Sequence, residues 1–173
     1  MPGHRTALNH GQMMIDRSTP FNPAEFIGNG WTIWRGPADG DGLSGEEDQD
    51  ERSLALTEID PAAIFLETCL RDREDRITGE ETIRRLKAAE RIRLDAGIFS
   101  VFLENHMRIP KEWKKKTNGY RTFIFFNGTT LRSPWGYRYT LYLCFHDREW
   151  FWRYDRLGND RSADDPSAVL ASI

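Results

Sequence analysis

Hydrophobic and polar positions alternate most regularly in residues 120–154, which hold 13 of the 21 aromatic side chains in the chain. Aromatic and branched residues fit the pleated surface of a sheet, so their density here predicts strands. We expect an antiparallel meander of three strands, at residues 121–126, 137–146 and 149–157. Its turns are predicted at the turn signals Asn127-Gly128, Ser133-Pro134 and His146-Asp147.

Alternation also assigns side chains to the two faces of this sheet, because successive residues of a strand point in opposite directions. Leu141 and Leu143 share the predicted core face of the middle strand. In the last strand Trp150 and Trp152 lie on one side, and Phe151 and Arg153 lie on the other. One face therefore buries apolar surface, while the other mixes aromatic residues with arginines.

The segments before the meander predict a short edge strand, a hairpin and two helices. The edge strand covers residues 31–34, and the hairpin joins residues 53–60 to residues 64–70 through Pro61. Thr78 and Glu81 have the spacing of a capping box, so a helix is expected over residues 78–90. Asp95 caps a second apolar helix over residues 96–106. The residues after position 158 are expected to form a tail along the body.

These elements together predict one α+β domain over residues 21–173, with an antiparallel sheet built from the meander and the N-terminal hairpin. The two helices are expected to cover one face of that sheet. Residues 1–20 are polar and are predicted to be disordered or loosely attached. A chain of 173 residues is long enough to bury one such core without a metal or a disulfide.

Charge and composition favour a soluble cytoplasmic protein. No apolar run reaches the length of a membrane span, and the N-terminal stretch lacks the apolar region of a signal peptide. The two cysteines, Cys69 and Cys144, are predicted to be buried thiols of a reducing compartment. With 24 basic and 27 acidic residues the net charge is −3, which disfavours a dedicated polyanion binder.

Residues 36–51 are rich in glycine and in carboxylates, which predicts a solvated acidic loop. Asp39 and Asp41 stand at the first and third positions of a calcium-binding loop, but Leu43 occupies the fifth position and cannot ligate through its side chain. A metal-assisted hydrolase remains a minor alternative, and its carboxylates would be Asp39, Asp41, Glu46, Glu47 and Asp48.

The leading hypothesis is a non-catalytic binding or interaction module, because the chain has more aromatic residues than one face of a small sheet can bury and no convergent catalytic set. Its partner would be a protein or a small ligand, and no cofactor is expected. The side chains predicted to remain exposed and to bind are Trp31, Trp34, Arg138, Trp150, Trp152 and Arg153.

Single-stranded nucleic acid is the alternative ligand, since aromatic platforms flanked by cations can stack bases and neutralise phosphates. The cations that favour it lie in a basic loop and at the start of the meander: Lys111, Lys114, Lys115, Lys116 and Arg121. Binding of this kind should be weak and sensitive to salt, because the whole chain is negatively charged.

Several stretches resemble a family of small hypothetical proteins from translated genomes of uncultured bacteria. They are GWTIWRGPADGDGLSGEEDQDERSLALTEID, TGEETIRRLKAAERIRLDAGIF, IPKEW, NGTTLRSPWGYRY and ADDPSAVLAS. The resemblance extends from about Ala24 onward, and it implies one natural unit of cytoplasmic origin. It implies no activity and no functional residue.

Overall fold

The computed structural model describes residues 11–172 of the chain. Strands and α-helices follow one another in this part of the chain as β1 (Met13–Met14), α1 (Pro23–Phe26), β2 (Thr32–Ile33), α2 (Glu51–Leu54), β3 (Glu58–Ile59), β4 (Phe65–Glu67), β5 (Arg76–Thr78), α3 (Gly79–Ala88), β6 (Ile92–Arg93), α4 (Ala96–Glu104), β7 (Phe123–Arg132), β8 (Arg138–His146), β9 (Glu149–Arg156), β10 (Asp160–Ser162) and β11 (Ser167–Leu170). Three short 3-10 turns cover Pro61–Ala63, His106–Arg108 and Lys111–Lys114. The predicted α+β class is confirmed.

The main sheet has the strand order β4-β11-β7-β8-β9; in addition, β2 pairs with β7 and β6 pairs with β11. Strands β7, β8 and β9 form the predicted antiparallel meander, in which Leu141 lies opposite Phe126 and Tyr154. Strand β11 pairs with β7 in parallel and with β4 in antiparallel orientation. The C-terminal segment is therefore an interior strand of the sheet and not the tail that we expected.

The turn predicted at Asn127-Gly128 is wrong, because β7 continues through these residues to Arg132. The ladder between β7 and β8 is interrupted after Phe126 and resumes at Leu131. Gly128 lies against the backbone of β6 there, and a Cβ atom at this position would collide with the carbonyl oxygen of Arg93. The glycine serves a close approach of two backbones, which a local pattern cannot distinguish from a turn.

The predicted N-terminal hairpin is also wrong. Strand β3 pairs with β1, and β4 pairs with β11, so the two segments around Pro61 do not pair with each other. The beginning of the first segment belongs to helix α2, whose N-terminus is capped by the Asp50 carboxylate, which accepts from the Arg52 N–H. Short apolar runs fit either a strand or a buried helical turn, and the capping carboxylate decides for the helix here.

Both predicted helices form. The Thr78 hydroxyl accepts a hydrogen bond from the Glu81 N–H at 3.1 Å and caps α3. The Glu81 carboxylate binds Arg84 and Arg85, so only the threonine half of the capping box is used. Asp95 caps α4 by accepting from the Gly97 N–H at 2.8 Å. The sequence therefore located the N-termini of both helices.

The two helices do not share one face of the sheet. Helix α4 packs on the face that carries Phe126, and the Phe99 ring lies 5.3 Å from the Phe126 ring in an edge contact. We call this the inner face. The first turn of α3 lies over the opposite, outer face, where Glu80 binds Arg138 at 2.6 Å. Arg161 of β10 also covers the outer face and stacks 3.5 Å from the centre of the Phe125 ring.

Residues 11–20 are attached to the core, in contrast to the predicted loose segment. Met13 and Ile15 are buried, and Arg17 binds the buried Asp95 carboxylate at 2.8 Å. Long-range contacts of this kind cannot be inferred from a polar segment alone. Residues 1–10, which belong to the same prediction, lie outside the described residues.

Among residues 11–172 no helix has the length and apolar character that a membrane span requires. Cys69 and Cys144 are free thiols that do not pair. Burial raises the pKa of the Cys144 thiol, and it raises the pKa of the Cys69 thiol to about 11. Both cysteines therefore stay protonated at neutral pH and are weak nucleophiles.

Candidate nucleic-acid interface

Two of the four tryptophans predicted to be exposed are buried, which corrects the predicted binding site. Trp31 retains 5% of its accessible surface because it lies between Tyr139 and Tyr154, with ring distances of 5.2 and 4.6 Å. Trp34 retains 2%, and its indole N–H donates to the Pro37 carbonyl oxygen at 3.1 Å. Neither ring is accessible to a ligand.

Trp34 is buried by the acidic loop, which folds over it. The loop returns along Arg35, whose backbone forms bridges to Leu43 and Glu47. Gly42 then passes so close to the indole that a Cβ atom there would lie 2.5 Å from the Trp34 Cε3 atom. The loop is therefore an ordered cover over an aromatic residue, and its glycines allow the close approach.

The carboxylates of the acidic loop do not converge on one point. Glu47 binds Arg35, Asp48 binds Arg138, and Asp41 accepts from the Leu43 N–H. Asp39 and Glu46 are exposed. Within the described part of the chain no group of three or more acidic, histidine or cysteine side chains is arranged to hold a metal ion. The geometry gives the metal-assisted hydrolase no support.

Arg138 is a structural residue and not the exposed ligand contact that we predicted. Its guanidinium binds Asp48 at 2.8 Å and Glu80 at 2.6 Å, and it stacks 5.0 Å from the Trp34 ring centre. The side chain is almost completely covered. It joins the acidic loop to α3, because each of its two carboxylate partners comes from one of these elements.

Trp150 and Trp152 lie on the inner face, whereas Arg153 lies on the outer face, so the structure separates these predicted binding residues. Trp152 is half-buried against Phe26, with ring centres 4.4 Å apart. Trp150 is half-buried beside Phe145, at 5.2 Å. Arg153 is exposed opposite Tyr142. The six predicted binding residues therefore do not form one site.

The outer face instead presents one aromatic side chain on each of three neighbouring strands, and the buried Cys144 lies directly opposite two of them, Phe123 and Phe151. Phe123, Tyr142 and Phe151 belong to β7, β8 and β9, and Phe123 packs edge-on against Tyr142 at 5.3 Å. Phe151 is 44% exposed, and the other two rings are partly exposed. With Arg121 and Arg153 at its sides, this set is named the outer platform.

The outer platform remains open because α3 and β10 cover only the other half of the face. Covered residues include Thr140, which accepts from the Arg161 guanidinium at 3.4 Å, and the buried Phe125. Burial lowers the pKa of Arg161 to about 10, so this guanidinium stays charged at neutral pH beside Asp155. The outer platform therefore ends where α3 and Arg161 begin to cover the outer face.

Cations gather at the end of the sheet where β7 begins and β8 ends, on the outer-face side except for Lys114, whose ammonium lies 4.8 Å from the centre of the inner-face Phe145 ring. The Thr122 hydroxyl donates to the Lys115 carbonyl oxygen at 2.6 Å and holds the basic loop beside the start of β7. None of the following seven cations forms an ion pair with another described residue: Lys111, Lys114, Lys115, Lys116, Arg121, Arg148 and Arg153. Residues 111–121 and 146–153 also contain three carboxylates, Glu112, Asp147 and Glu149. Asp164 and Asp165 adjoin the same end of the sheet, since the Phe123 N–H donates to the Asp164 carbonyl oxygen at 2.8 Å. The seven cations outnumber these five carboxylates, so this end of the sheet has a small positive excess.

The turn between β8 and β9 holds two residues in the left-handed backbone region. Asp147 has φ of 49° and Arg148 has φ of 66°, as in the two-residue turns that prefer Asn-Gly. Aspartate tolerates this conformation, but arginine is unfavourable in it. The strained turn places the Arg148 cation at the tip of the β8–β9 hairpin.

A groove on another side of the molecule has the opposite character. It has a volume of about 340 Å³ and runs along Thr19 and Phe21. Arg17 in this groove is neutralised by Asp95, whereas Asp16 and Glu47 line it as carboxylates. A groove with excess negative charge repels phosphates, so it does not compete with the outer platform for a polyanion.

The sequence contained the signal for Phe151, since the alternation of the last strand places it beside Arg153 and opposite the two tryptophans. Tyr120, Trp135 and Tyr137 were also missed as exposed aromatic residues, and Trp135 is 70% exposed. The tryptophans were predicted to be exposed because one face of a small sheet cannot bury every aromatic residue, but which rings are covered depends on the acidic loop and α4. The basic residues Lys111, Lys114, Lys115, Lys116 and Arg121 do lie at one end of the sheet, in exposed positions.

No protein-family model, curated protein or solved structure matches this chain.

Proposed function

We propose that the chain is a non-catalytic binding module that takes single-stranded nucleic acid on the outer platform. The observation that carries the proposal is the group of partly exposed outer-face rings Phe123, Tyr142 and Phe151 on three neighbouring strands, beside cations without ion pairs. Charge favours this ligand over the protein or small-molecule partner expected from the tryptophans. Two free cysteines are in keeping with a role in the cytoplasm.

Each component of a nucleic-acid strand finds a complementary group on this surface. A base can stack on the exposed Phe151 ring, and such stacking contributes about 1–3 kcal/mol per base with little dependence on sequence. Arg121 and Arg153 can approach phosphates or stack on a second base. The lysines of the basic loop extend the positive surface along the backbone path, so a strand would run from Lys115 and Lys116 across the strands of the sheet.

The same surface sets an upper limit on affinity. The seven cations act against a whole-chain charge of −3, and we expect three or four phosphate contacts. Each contact on a single strand contributes a slope of about −0.7 to the logarithmic dependence of affinity on salt. Binding should therefore weaken by about 20- to 50-fold between about 50 and 200 mM salt.

Fluorescence anisotropy with a labelled, unstructured RNA of roughly a dozen nucleotides tests the proposal. Phe151→Ala should weaken binding by about fivefold or more at low salt, because it removes the most exposed stacking surface. Trp135→Ala is the matched control, since it deletes an even more exposed aromatic residue in the turn at the opposite end of β8. It should leave the affinity unchanged.

The charge contribution is tested separately. Replacing Lys115 and Lys116 by alanine should reduce the salt slope by about 1.4 units, because two cations are removed and each contact contributes about −0.7. Lys87→Ala, which removes an exposed lysine of α3, should not change the slope. Absence of binding at low salt, or equal losses in Phe151→Ala and Trp135→Ala, would contradict the proposal.

A further inference from the structure

A second surface feature lies on the inner-face side of the β8–β9 turn and is not part of the outer platform. It is a depression of about 480 Å³, with the rings of Phe145 and Trp150 among its lining residues. Met107 also lines it and is 96% exposed. An exposed thioether beside two aromatic rings is a favourable apolar setting for a flat aromatic ligand.

The charged groups of the depression are two cations, Lys114 and Arg148, and one carboxylate, Glu149. The Lys114 ammonium lies 4.8 Å from the centre of the Phe145 ring, and Arg148 lines the depression from the turn. Neither cation has an ion-pair partner among residues 11–172, although Glu149 and His106 line the same depression. Two free cations suit a phosphomonoester, which carries close to two negative charges at neutral pH, better than a phosphodiester with one.

We propose that this depression binds the terminal nucleotide of a strand, with the base against Phe145, Trp150 and Met107 and a terminal phosphomonoester beside Lys114 and Arg148. The inference rests on the proposed function, because the rest of that strand would lie on the outer platform. Arg148 links the two surfaces, since it stands at the turn between the outer face and the depression.

The backbone at Arg148 is independent support. Glycine would adopt φ of 66° without the steric cost that arginine bears, and strained positions of this kind are often retained for function. Arg148→Gly should therefore leave the thermal midpoint unchanged or raise it, while it lowers affinity for a phosphorylated ligand. If Arg148 had a purely structural role, its replacement would not lower the affinity while the thermal midpoint stays unchanged or rises.

The first test uses adenosine monophosphate alone, followed by NMR of the Trp150 indole N–H and the Met107 methyl group. Both signals should shift at millimolar ligand, and adenosine without phosphate should bind about three- to fivefold more weakly. Lys114→Ala should remove this preference. Lys111→Ala is the matched control, because it changes a lysine of the same 3-10 turn that does not line the depression.

The second test compares RNA strands that carry a 5′-phosphate, a 3′-phosphate or hydroxyl groups at both ends. One phosphorylated strand should bind about three- to fivefold more tightly than the hydroxyl strand, and Arg148→Gly should abolish the difference. The strand that gains affinity identifies which end enters. Equal affinity of all three strands, or adenosine monophosphate shifts confined to Phe123 and Phe151, would overturn the inference. If the nucleotide shifts the Trp150 signal but no strand binds, the depression stands as a nucleotide site and the proposed function fails.

Discussion

The contact between Gly42 and the Trp34 ring shows how a single residue fixes an entire loop. Gly42 has φ of 76°, and the indole occupies the space where a side chain would begin. The Arg138 guanidinium stacks on the same ring and also binds Asp48 of the loop. The loop therefore owes its order to a buried aromatic residue, and its carboxylates are held apart by their separate partners.

Gly42→Ala should lower the free energy of unfolding by about 1–3 kcal/mol more than Gly119→Ala, because the new methyl group overpacks against Trp34. Gly119 is the matched control, since its φ of 83° is equally unfavourable for alanine but no atom lies within 4 Å of the added Cβ. Urea unfolding of both variants measures the difference. Equal losses would mean that the loop does not press on Trp34.

At the scale of the elements, the parts predicted well are those whose signals are local. The caps of α3 and α4, at Thr78 and Asp95, involve residues two or three positions apart, so a pattern suffices to find them. The β8–β9 hairpin likewise follows from alternation and a two-residue turn. Local periodicity is therefore sufficient to predict this part of the fold.

The parts that were missed depend on contacts between distant segments. Strand β11 lies beside β7 in the sheet through the pairing of Ser167 with Phe125. No local sequence pattern near Ser167 predicts this pairing. The burial of Trp31 and Trp34 likewise depends on Tyr139, Tyr154 and the acidic loop. The candidate site was half predictable for the same reason: the basic loop is visible in the sequence, whereas the exposure of Phe151 depends on what α3 leaves uncovered.

Helix α3 is also the element whose stability should depend most on acid. Hydrogen bonds from Arg85 and the Arg71 N–H lower the pKa of Glu74 to about 2, and those from Arg84 and Arg85 lower the pKa of Glu81 to about 2. A carboxyl pKa that is lower in the folded state contributes stability above the unfolded value of 4.5. That contribution is lost as the pH falls through about 2.

Glu74→Gln should therefore unfold with a weaker dependence on pH between about pH 5 and pH 2 than the unsubstituted protein. Urea midpoints at several pH values across this window measure the effect. Glu104→Gln, which changes an exposed carboxylate at the end of α4, is the control and should retain the full dependence. If Glu74→Gln and Glu104→Gln behave alike, the Glu74–Arg85 pair does not couple α3 to pH.

At the scale of the whole molecule, charge is distributed unevenly over a chain whose total is only −3. Carboxylates prevail in the acidic loop and along the Thr19–Phe21 groove, and unpaired cations gather where β7 begins and β8 ends. A polyanion approaching this protein would be repelled by one side and attracted by the other. Under the proposed function, this asymmetry would orient a strand toward the outer platform, although it would add little to the affinity at physiological salt.

Chemical-shift mapping by NMR with an unstructured single-stranded RNA at low salt is the most direct measurement of where a strand binds. We predict that the largest changes fall on Arg121, Phe123, Tyr142, Phe151 and Arg153, and that they diminish as salt is added. The Trp135 signals should remain in place. Changes centred on Trp135 or on the Thr19–Phe21 groove, or no change at any residue, would contradict the assignment of the outer platform as the binding surface.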